Sequence, residues 1–240
     1  MKSPFHSHIL PLFAVFSGLL GLLLRIWLFS AIDEKGLLPA GHFAGYALFV
    51  VAAITIAVVF LASCNLSPRQ LRKRTIRTFN ILAYFAGGMG LILNAVFILS
   101  KSPVRLALVS TVTSLLGGIV MFLIAYLYKA SKRIPYLLPA AVTVALMLDA
   151  VAQCQVWGSL PQLQEYFFPL MASIFLILTG YERTLFAARK PRPSVLAFYS
   201  QTAVFFCIVS LNSPQWLLYL GMLFWAAVQI FPSTAIKKKV

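Results

Sequence analysis

Asp149 stands inside VALMLDAVAQCQVW, residues 144–157, as a carboxylate deep within a long apolar run, and Gln153 follows it four residues later. A carboxylate in hydrocarbon costs about 2.5–3.5 kcal/mol on insertion scales, so it must face a partner, water or a cavity rather than lipid. The spacing of four puts Asp149 and Gln153 on one helical face, and Val142 and Leu146 continue that stripe as apolar residues. Two readings stay open. Asp149 is either tied to a neighbouring helix by hydrogen bonds, or protonated there, or it is a substrate, ion or proton site.

Other chemistry is sparse. Arg25 and Asn94 are the remaining polar groups well inside apolar runs that can share a layer with Asp149, and Ser110, Thr111 and Ser114 add hydroxyls. Asp33, Glu34 and His42 could form an acid/base cluster for an intramembrane enzyme acting on lipid, but the two acids are adjacent rather than helix-spaced and sit in a turn. No G-x-S-x-G, H-E-x-x-H or P-loop pattern occurs, which removes the motif-based case for hydrolases, zinc proteases and nucleotide enzymes. Cys64, Cys154 and Cys207 have no metal or redox spacing and read as small packing residues. His6, His8 and His42 offer no axial pair for a haem within a bundle, and no cofactor is implied.

The elements that must position these groups are transmembrane helices. A chain of 240 residues that is 61% hydrophobic and 10% charged carries more apolar surface than a soluble core can bury. Crossing ~30 Å of hydrocarbon takes ~20 apolar residues. Runs of that kind fall at 9–31, 42–63, 80–100, 104–128, 135–157, 166–187, 194–211 and 214–231, which predicts an all-α polytopic bundle of about eight spans in a single membrane domain. The first run is too long for a signal-peptide core and no A-x-A site follows it, so it reads as a retained helix. Gly87, Gly88 and Gly90, with Gly117 and Gly118, predict close helix contacts. Ser102–Pro103 and Ser213–Pro214 have the order of an N-cap and first helical position.

The net charge of +15 does not point to nucleic acid, because the basic residues lie in short clusters between apolar runs. If the N-terminus is cytoplasmic, every Lys and Arg except Arg25, Lys35, Lys101 and Arg105 falls on the cytoplasmic side, which places both termini there. The largest cluster, in residues 67–79, predicts contact with anionic lipid headgroups or docking of a protein partner. Short loops make a bacterial plasma membrane the default location.

At 1.5 Å per residue from the cytoplasmic end, Arg25 and Asn94 fall at about 24 Å and Asp149 at about 20 Å, with Thr111 close by. That layer predicts an Arg25–Asp149 ion pair, or else an Arg25 that reaches outward to the headgroups. Glu182, beside Arg183 and the basic run after it, predicts a salt bridge at the cytoplasmic rim, while Tyr199 and Gln201 either line the same cavity or bond between helices. The leading functional expectation is a small-molecule transporter or ligand-binding membrane component built on Arg25, Asn94, Asp149 and Gln153. An arginine in that layer suits an anionic or zwitterionic ligand. The competing expectations are a sensor or assembly subunit acting through its basic loops, and the lipid-acting enzyme.

Overall fold

The computed structural model describes residues 6–32, 41–64, 77–101, 105–130, 132, 134–157, 163–190 and 192–228. These fold into helices α1 (His6–Ser30), α2 (Phe43–Cys64), α3 (Arg77–Lys101), α4 (Arg105–Lys129), α5 (Leu137–Trp157), α6 (Leu163–Ala187) and α7 (Pro193–Val209), then a 3-10 turn (Ser210–Asn212) and α8 (Trp216–Val228). Asp33 and Glu34, the sequence 65–76 and residues 229–240 lie outside the described part, as does Ser102–Pro103.

Breaks fall where local chemistry cannot continue a helix. Gly41 precedes α2 at φ +81, a conformation that costs glycine nothing. At the other end of α6 the same left-handed backbone falls on Arg189, at φ 66, where the Lys190 N–H closes back on the Leu185 carbonyl at 2.9 Å. That is a Schellman ending with arginine in the usual glycine position. Arg189→Gly is therefore expected to stabilise the protein by ~0.5–1 kcal/mol, measured by chemical unfolding in detergent.

Seven described helices are long and apolar enough to cross a membrane. The eighth expected span appears as a helix of 13 residues, about 20 Å of rise. It starts later than the sequence pattern indicated. Ser213 does not act as an N-cap hydroxyl; its Oγ donates to the Ser210 carbonyl at 2.6 Å and closes the preceding 3-10 turn.

Six of the helices close a ring. α3 packs on α4, α4 on α5, α5 on α6, α6 on α7, α7 on α8, and α8 returns to α3, while α1 and α2 lie outside it against α7. In α7, 72% of the apolar window is buried, against 28% in α2, so α7 is the central element and α2 a peripheral one. The glycines sit at the tightest seams. A Cβ on Gly88 would meet the Gly118 carbonyl at 3.0 Å, and one on Gly90 would meet the Gly221 Cα at 2.7 Å. Close backbone approach is the packing that small residues permit in membranes, as their sequence positions predict.

Large apolar side chains on the outer faces, among them Phe16, Leu23, Val50, Leu82, Ile119 and Phe224, are exposed. Water would not tolerate so continuous an apolar surface. Lipid does, and the chain is an α-helical, multi-span integral membrane protein.

Candidate functional site

The face of α5 that carries Asp149 turns toward α4, and the carboxylate is 2% exposed. Ser110 donates to its Oδ1, Ser114 reaches the same oxygen at 3.4 Å, and the Gln153 amide, one turn along α5, donates to Oδ2. Ser110 and Ser114 are themselves four apart, so the antiparallel α4 presents a short hydroxyl stripe to the acid.

These serines behave differently from most other helical hydroxyls. Thr55, Thr143, Ser173, Thr179, Thr184 and Thr202 all donate to the carbonyl four residues back in their own helix. That local bond is the default for a hydroxyl in hydrocarbon. Ser110 and Ser114 instead donate across the helix seam to Asp149. Val142 and Leu146, on the same stripe of α5, are buried below it.

Arg25 does not pair with Asp149. Its Nη1 donates to the Val209 carbonyl at 3.0 Å and its Nη2 to the Glu165 carbonyl at 2.9 Å. The physical reason is local. Pro169 lies inside α6 and has no N–H, so the Glu165 carbonyl four residues earlier loses its helical donor. Val209 is the last residue of α7, where the carbonyl end of the helix carries partial negative charge. One guanidinium fork serves both carbonyls and staples α1 to α6 and α7. It is 1% exposed, and it lies against the rings of Phe29 and Phe168 at 5.4 and 5.9 Å, which also excludes the outward-reaching alternative.

Asn94 is fully buried on α3, and neither of its amide atoms has a hydrogen-bond partner among the described residues. It bonds neither Asp149 nor Arg25. Of the four expected site residues, the fold brings together Asp149 and Gln153, assigns Arg25 to backbone carbonyls, and leaves Asn94 buried at the same end of the ring. Gln201 is likewise buried with both amide atoms unpartnered, whereas Tyr199 packs on Phe175 and Phe198. The Tyr219 hydroxyl of α8 donates to the Pro169 carbonyl at 3.2 Å and so crosses the ring interior to α6.

A second polar cluster lies at the opposite end of the ring. Arg183 of α6 is 5% exposed, and its Nη2 donates to the Tyr128 hydroxyl at 2.6 Å. Nε and Nη2 both reach the Tyr84 hydroxyl at 3.4 Å. Glu182 points elsewhere and meets Arg192 at 4.0 Å, so the rim salt bridge forms with the basic run rather than with the adjacent arginine. Sequence reasoning passed over Arg183, Tyr84 and Tyr128 as a group. Matching depth at this end is the signal that pairs them, since Tyr84 and Tyr128 lie near opposite termini of antiparallel helices.

His42 has a structural use: its Nδ1 accepts the Ala44 N–H at 3.3 Å at the start of α2, and its ring meets Trp27 edge-on at 5.6 Å. Among the described residues no group of three His, Cys, Asp or Glu side chains is placed to hold a metal ion. No protein-family model, curated protein or solved structure matches the chain.

Proposed function

We propose that this membrane protein is a small-molecule carrier or ligand-binding component, and that Asp149 with Gln153 is its recognition pair. The observation that supports this reading is the environment of Asp149: a buried carboxylate held by neutral donors, with no cation in ion-pair reach among the described residues. An intramembrane acid of this kind marks an ion, proton or substrate path. With the Arg25 fork directed to the carbonyls of α6 and α7 rather than to Asp149, the charge beside the Asp149–Gln153 pair is negative. The ligand class becomes a proton or a small organic cation, in place of the anion or zwitterion that an arginine would select. The Gln153 Oε1 and the Asn94 amide, all unpartnered among the described residues, are the polar groups that would accompany it. Access requires the α4–α5 seam to part beside Asp149.

The test is thermal stability of purified protein and its Asp149→Asn variant against pooled metabolites sorted by charge. A ligand at 100 times its Kd should stabilise the parent by about 2.7 kcal/mol. The expected result is a cationic compound, or a proton-driven flux in liposomes, that acts on the parent and is lost in Asp149→Asn while that variant still folds. Equal ligand responses in both proteins would make Asp149 a purely structural tie between α4 and α5.

A further inference from the structure

Arg183 poses a problem that its tyrosines do not solve. The guanidinium is always charged, and two phenols can accept its hydrogen bonds without neutralising it. No carboxylate lies within ion-pair distance of it among the described residues, because successive helical positions point about 100° apart and Glu182 is turned to Arg192. Its Nη1 has no hydrogen-bond partner among the described residues. A buried, uncompensated cation is costly unless an anion completes it.

Three further observations converge on the same place. The Tyr84 hydroxyl accepts from Arg183, which leaves the phenol's own proton as a donor. Asn80, one turn before Tyr84 on the same face of α3, is 1% exposed, and neither amide atom is bonded among the described residues. The rim above carries the exposed side chains of Lys129, Lys132, Arg189, Lys190 and Arg192, a field that draws anions toward this end.

We propose that Arg183, with Tyr84 and Asn80, forms a phosphate-binding site reached from the basic end of the ring. Arg183 lies four residues, about 6 Å of rise, from the end of α6 at Ala187. A phosphate at that depth belongs either to a lipid headgroup or to a soluble phosphate. The planar guanidinium edge and the two neutral donors suit its oxygens. This site is separate from Asp149 in position and in residues, and it stands or falls independently of the carrier reading.

The experiment uses the full chain, delipidated in an uncharged maltoside detergent, and follows its thermal midpoint against three probes: inorganic phosphate, short-chain phosphatidic acid, and the matching diacylglycerol without phosphate. Saturable stabilisation by a phosphate-bearing probe and none by diacylglycerol is expected. A response to inorganic phosphate identifies a soluble ligand, and a response to phosphatidic acid alone identifies a headgroup. Tyr84→Phe keeps the ring that packs on Tyr128 and Trp225, at 5.6 and 6.2 Å, and removes only the hydroxyl. It should weaken the probe at least about tenfold, the loss expected for one hydrogen bond to a charged group. Arg183→Gln should abolish the response, and if that variant does not fold, Tyr84→Phe decides. Absence of any phosphate-dependent shift, or undiminished binding by Tyr84→Phe, overturns the site.

Discussion

Arg25→Gln is expected to destabilise the protein by ~2–4 kcal/mol, because it removes two charge-assisted bonds and strands buried carbonyls in a medium that offers no replacement donor. The Glu165 carbonyl is the more exposed to this loss, since Pro169 has already taken its helical donor. Arg25→Lys should recover at most part of the effect: an ammonium is a point donor and cannot span the carbonyls of α6 and α7 as a planar fork does. Unfolding in graded denaturing detergent measures both variants. Parent-like stability of Arg25→Gln, together with loss of ligand response, would return Arg25 to the recognition group that the sequence predicts.

Gly221→Val carries the other large effect. Even the first atom of a side chain at this position would lie 2.6 Å from the Gly90 Cα and 2.8 Å from the Ala86 carbonyl. These are backbone atoms of α3 and cannot rotate away. Alanine at position 221 should cost ~1–3 kcal/mol, and valine more, because α8 must back out of the ring to accommodate it. Gly45→Ala supplies the control. Its Cβ would find nothing nearer than Leu28 Cδ1 at 3.9 Å, so the ordinary helical preference for alanine, ~0.5–1 kcal/mol, should prevail and raise stability. Equal responses of positions 45 and 221 in the same unfolding assay would remove the argument for a tight α3–α8 seam.

Both predictions concern contacts between helices, and this is where sequence and structure part company. Helix positions followed from run length and from the Gly, Pro and charged residues between runs, because hydrocarbon obliges each crossing segment to satisfy its own backbone. The shared face of Asp149 and Gln153 followed as well, since it depends only on the pitch of one helix. The glycine clusters announced close contacts without naming their partners: Gly90 meets Gly221, 131 positions further along the chain.

Partner choice for the polar groups was settled in three dimensions. Arg25 was within range of Asp149 by depth, but depth along the membrane says nothing of position around the ring. The fold sets Arg25 beside the carbonyls of α6 and α7, and Asp149 beside the serines of α4. Arg183 shows the same limit from the other side, turned inward between Tyr84 and Tyr128 while its neighbour Glu182 takes the rim. In water, a hydrophobic stripe marks which face of a helix is buried. In a bilayer both faces are apolar, lipid-facing and ring-facing alike, so composition assigns the chain to the membrane, while the packing of small residues and the polar ties between helices decide which helices meet.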